Sequence, residues 1–94
     1  NKKIRFSLMQ VTEADGNIIQ LTKKEAALLR LLIDHKDEVV SREHILETVW
    51  GYDVYPSTRT IDNFIVTFRK YFEENPSNPR YFQSVRGVGY RYSK

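Results

Sequence analysis

Five side chains in one short stretch, Arg59, Asn63, Val66, Thr67 and Lys70, carry the most informative chemistry in the sequence. At about 100° per residue they fall on one side of a helix. The set holds two cations, a carboxamide, a hydroxyl and a pair of exposed methyls. Cations neutralise phosphate, a carboxamide can pair with the N6/N7 edge of adenine, and an apolar branch can meet the thymine methyl. A face that only meets water usually shows Glu and Lys four apart, which this one lacks. The pattern points to recognition of nucleic-acid edges rather than to bond making.

The helix that would carry them is Thr58–Phe72, TRTIDNFIVTFRKYF. Ile61, Phe64, Ile65, Phe68, Tyr71 and Phe72 share an arc of roughly 120° and form its inward stripe. Phe64, Phe68 and Phe72 therefore read as core, not as a base-stacking platform, and Trp50 likewise. The helix is expected to run to Glu73 or Glu74, where Asn75-Pro76-Ser77-Asn78-Pro79 ends it.

The remaining elements must position that helix. Lys3–Val11 is rich in strand formers, and Asn17–Leu21 follows a tight-turn signal at Asp15-Gly16-Asn17. Together they predict an antiparallel hairpin or a small sheet. Thr22 with Glu25 three residues on forms a capping box, and AALLRLLI then predicts a central buried helix stopping near 34–37. Val39-Val40 can add a short strand. Ser41 caps the next helix, whose stripe is Ile45, Leu46, Val49 and Trp50, with Gly51 at its C-terminus. Tyr81–Val85, Arg86-Gly87-Val88-Gly89 and Tyr90–Tyr92 read as strand, turn and strand, with Tyr90 and Tyr92 inward and Arg86 at the tip.

Ninety-four residues make one domain with a single core. Forty per cent hydrophobic residues exclude a disordered chain. No apolar run approaches the ~18 residues of a membrane span. Absence of cysteine removes thiol chemistry and suits a reducing, cytoplasmic setting. The net charge of +3 is unevenly spread. Residues 1–56 hold 8 Lys/Arg against 9 Asp/Glu, a net of −1, whereas 57–94 hold 7 against 3, a net of +4. The basic half is the half with the unusual helix, which implies an anionic partner.

Catalytic readings fare poorly. Ser41, His44 and Glu47 follow a helical spacing, but a capping serine accounts for the first. His35 and His44 lack a matching ligand pair, so no metal is expected. RGVG has no helix after it and is not a phosphate loop. No enzyme activity and no cofactor are expected.

From about Asn17 to Tyr92 the chain resembles the OmpR/PhoB-type effector domains of bacterial response regulators. LTKKEAALLRLL, VVSREHILETVWG, RTID with FRK, and SVRGVGYRY carry the resemblance, in that order. It implies an α+β winged helix-turn-helix, with an N-terminal antiparallel sheet, three helices and a C-terminal β-hairpin wing, acting in transcription behind a receiver domain absent from this sequence.

The resemblance also implies roles. Arg59 and Thr60 would touch phosphate or bases at the start of the third helix. Asp62, Asn63, Val66 and Thr67 would face the major groove, and Arg69 and Lys70 the backbone. Ser84 and Arg86 would act from the wing, Arg86 in the minor groove. The loop carrying Tyr52, Asp53, Val54 and Tyr55 would meet RNA polymerase, and self-association would occur on tandem half-sites. Many members carry arginine where this chain has Val66 and Thr67, which weakens guanine readout there. For Asp62, accepting from cytosine and orienting Arg59 or another cation stay open. A protein-interaction module without DNA readout is the competing reading, favoured by Tyr52, Val54, Tyr55 and Val66.

Overall fold

The computed structural model describes residues 2–51 and 58–93. Among these described residues, six strands and three helices follow one another as β1 (Lys3–Arg5), β2 (Gln10–Thr12), β3 (Ile18–Gln20), α1 (Lys23–Asp34), β4 (Val39–Ser41), α2 (Arg42–Ile45), α3 (Thr58–Phe72), β5 (Phe82–Val85) and β6 (Gly89–Tyr92). α2 continues into a π-helical turn, Leu46–Trp50, closed by the bond from Gly51 N–H to the Leu46 carbonyl. This is the expected winged helix, with antiparallel sheets at its two ends.

The first sheet has the order β1-β2-β3. Of the expected hairpin or small sheet the structure forms the sheet, and Lys3–Val11 is divided between two of its strands. A 3-10 turn at Phe6–Leu8 and a left-handed Met9 (φ 52°) fold the chain back, so that Ile4 pairs with Val11. No Gly, Pro or Asn marks that reversal, so the run of strand formers conceals it. The second reversal is signposted: Gly16 takes φ 92°, and Asp15 accepts from both the backbone and the amide of Asn17.

Thr22 and Glu25 form the reciprocal capping box that starts α1. Leu28, Leu29 and Leu32 on that helix are fully buried. They pack with Ile45, Val49, Ile61, Ile65, Phe68, Phe82 and Tyr90 in one core. Phe64, Tyr71 and Phe72 line its edge, so all six inward residues of α3 face the core as their spacing requires. Trp50 stacks on Phe64 at 5.4 Å, and Lys24 donates to the Val49 carbonyl at 2.9 Å beneath it.

The second sheet has the order β4-β6-β5, so the Val39-Val40 segment becomes the wing's third strand and extends to Ser41. Ser41 then accepts from His44 N–H as the cap of α2. β4 and β6 approach closely at Gly89: a Cβ there would run into the Val40 carbonyl and stand 2.9 Å from Ser41 Cα.

α3 ends at Phe72, one residue before the expected Glu73, whose own N–H still donates to the Arg69 carbonyl at 2.9 Å. Glu73 is buried, and its carboxylate accepts backbone N–H bonds from Arg80, Tyr81 and Phe82, each 2.9 Å. One side chain thus bridges the end of α3 to the start of β5. The sequence signals only a loop here.

Candidate nucleic-acid interface

α3 has its apolar stripe against the core, which leaves Arg59, Asn63, Val66 and Lys70 exposed. Val66 is 46% exposed, a high value for valine beside a packed core. Thr60 and Thr67 are half-buried. Thr67 donates its hydroxyl to the Asn63 carbonyl one turn back, at 3.1 Å. Its methyl group is then the part left to meet another molecule.

Two residues on the flank of this face tie α3 to the wing. Arg69 donates from Nε to the Phe82 carbonyl and from Nη2 to Ser84 Oγ, both at 3.0 Å. Asp62 accepts from the Tyr90 hydroxyl. Asp62 and Arg69 lie seven residues apart, two turns on one side of the helix. Ser84 and Tyr90 are paired across β5 and β6. The two contacts therefore join one row of α3 to one row of the wing sheet, and the wing borders the exposed stripe. Arg86 stands exposed in the turn between β5 and β6, where Gly87 takes φ 78°.

Asp62 has a second partner. Arg42, the first residue of α2, brings Nη2 to 3.5 Å from the same Oδ1 that takes the Tyr90 hydroxyl. Its guanidinium also lies over the Tyr90 ring, 5.2 Å from the centroid. The sequence leaves Asp62 open between a base and Arg59 or another cation; in the structure the cation beside it is Arg42. No motif in the sequence singles out Arg42. The available signal is a cation at a helix N-terminus, where the dipole disfavours positive charge and a compensating anion is needed.

The inward Tyr92, expected from the alternation, is half-buried against Phe82, and burial raises its phenol above the ordinary 10.0, with Tyr81 adding to the effect. Arg91 on the opposite face of β6 donates to Gln83 at 2.6 Å. His35 and His44, nine apart in sequence, meet edge to face at 5.5 Å. Among the described residues no group of three or more metal-ligating side chains forms. Tyr52, Asp53, Val54 and Tyr55 lie outside the described residues. Within those residues no helix is long and apolar enough to cross a membrane.

Residues 16–92 match the family described as "Transcriptional regulatory protein, C terminal". The chain belongs to this OmpR/PhoB-type family. It is a family of regulatory domains, not of enzymes. Among solved structures, the DNA-binding domain of Bacillus subtilis CssR is 35% identical, with 98% of this chain and 99% of that one covered and a TM-score of 0.83. The Thermotoga maritima response regulator DrrB, an OmpR/PhoB homologue, is 33% identical with a TM-score of 0.71; the match covers 90% of this chain but 42% of DrrB. The AdeR DNA-binding domain, solved in complex with an intercistronic region, is 27% identical over 100% of this chain and 95% of that one, with a TM-score of 0.74. This effector domain thus matches isolated regulator domains nearly end to end and spans under half of an intact regulator.

Proposed function

We propose that the domain binds double-stranded DNA sequence-selectively, as the output half of a cytoplasmic two-component transcriptional regulator. The observation that carries this reading is the exposed amide-and-cation stripe of α3 bordered by an arginine-tipped wing. α3 enters the major groove, where Arg59 and Thr60 meet the backbone or bases at its start, Asn63 meets adenine and Val66 meets a thymine methyl. The methyl of Thr67 lines the same groove, and Lys70 meets phosphate. Arg86 reaches the minor groove from the wing, with Ser84 beside it.

Asp62 and Arg69 are occupied within the domain and act by holding α3 to the wing. AdeR's complex with an intercistronic region supports the choice of duplex DNA as partner.

One such module buries only about 600–1,000 Å² on DNA. A single copy should therefore bind weakly, with pairs assembling on tandem half-sites. An upstream receiver domain would control that pairing, and Tyr52, Asp53, Val54 and Tyr55 would be offered to RNA polymerase.

The test is duplex binding across a salt series, on a site obtained by in-vitro selection. If Arg59, Lys70 and Arg86 each neutralise a phosphate, log K falls against log salt with a slope of about −2.7. Arg59→Ala should cost the selected site most, and Arg86→Ala should weaken A·T-rich flanks. A salt-independent interaction, or amide shifts confined to residues 51–57 when duplex is added, would replace this reading with that of a protein-interaction module.

A further inference from the structure

Arg42 stands at the edge of the DNA-facing surface but is not free to act on it. Its Nη2 faces Asp62 at 3.5 Å, its ring-side face covers Tyr90 at 5.2 Å, and its backbone N–H donates to the Val88 carbonyl at 3.2 Å in the wing turn. Its Nε is buried without a hydrogen-bond partner. The Arg42 side chain keeps 29% of its surface exposed and Asp62 keeps 47%, so both reach the surface that α3 and the wing share. An aspartate on that surface repels phosphate, and here it also pairs with the Arg42 guanidinium.

We propose that Asp62 withholds Arg42 from the DNA backbone and so sets how strongly a single copy grips any duplex. The inference rests on the DNA-binding reading above. With Asp62 in place the domain engages phosphates through three cations; without it Arg42 becomes a fourth. Asp62 acts through Arg42, not on a base. The weak grip of one copy would follow from this pairing as well as from the small interface.

The experiment is a double-variant cycle on a random-sequence 20-base-pair duplex, with affinity measured from 50 to 200 mM salt. Asp62→Asn preserves an oxygen for the Tyr90 hydroxyl but removes the charge that holds Arg42. It should tighten binding and steepen the slope by about 0.9, roughly a further threefold loss of affinity across that salt range. In an Arg42→Gln background the same Asp62→Asn change should leave the slope where it was. Equal steepening in both backgrounds would overturn the proposal, because Asp62 would then act by repulsion alone. The Arg42 Nε–H resonance gives a second readout that needs no variant. It should stay in place when random duplex is added to the wild-type protein; a shift would mean that Arg42 already touches DNA. Failure of the wild-type protein to bind any duplex would instead refute the DNA-binding reading.

Discussion

Replacing Glu73 by alanine removes one carboxylate and strands three backbone donors at once. The N–H groups of Arg80, Tyr81 and Phe82 all point at it, and the Phe82 bond is fully enclosed. Water can reach the first two donors, because Arg80 is exposed and Tyr81 half-buried. It cannot reach the third. A hydrogen bond to a charged group contributes about 1.5–3 kcal/mol, and an orphaned buried donor costs about 1–3 kcal/mol. Counting one full loss at Phe82 and partial losses at the others, Glu73→Ala should destabilise the domain by about 3–4 kcal/mol. For a domain of this size that lowers Tm by roughly 15–25 °C. Glu73→Gln keeps one acceptor oxygen but turns an NH2 toward a donor, so it should recover only part of the loss, about 1–2 kcal/mol. Urea and thermal unfolding monitored by circular dichroism measure both variants. Amide exchange should speed up first at residues 80–82, where the bonds are lost. If Glu73→Ala stays within about 1 kcal/mol of wild type, the carboxylate is not what secures β5 to α3.

Three further outcomes follow from the same structure. Gly89→Ala should cost more than about 3 kcal/mol or prevent folding, because its Cβ collides with the β4 backbone rather than with a movable side chain; thermal unfolding, or soluble yield if it does not fold, measures this. Thr22→Ala should cost about 1 kcal/mol by removing one arm of the capping box, seen as a parallel shift of the urea midpoint without a change in slope. Tyr71 and Tyr92 both have phenols raised above 10.0, Tyr71 by burial and then by Glu25, Tyr92 by burial and then by Tyr81. The folded state thus binds protons that the unfolded state has released, so their contribution is complete below pH 10 and is lost as pH rises through the higher folded values. Stability measured from pH 8 to 12 should fall above 10, and Tyr92→Phe should flatten that fall.

Local signals in the sequence transferred well to the structure. The capping box at Thr22 and Glu25, the Ser41 cap, the terminal Gly51 and the six-residue stripe of α3 each depend on neighbours within one or two turns. What stayed illegible depends on residues far apart. Nothing near Arg42 names Asp62, twenty positions on, as its partner, and nothing near Glu73 says that it will catch β5. Both assignments need the wing already folded against α3. Met9 is hidden for a different reason: a left-handed residue other than Gly or Asn carries no compositional mark.

Ser41 both ends β4 and caps α2, so the ribbon and the helix beside it meet with no intervening slack. Arg69 stitches the opposite border of the same sheet, β5, to α3, and Tyr90 stitches the central strand β6 to it. Beyond its Arg86–Val88 tip, such a ribbon has no hinge on which to swing. If α3 and the wing occupy neighbouring grooves, as proposed above, a duplex whose groove spacing differs would itself have to deform, and sequences that bend easily at that point would gain an advantage no side chain confers by touch.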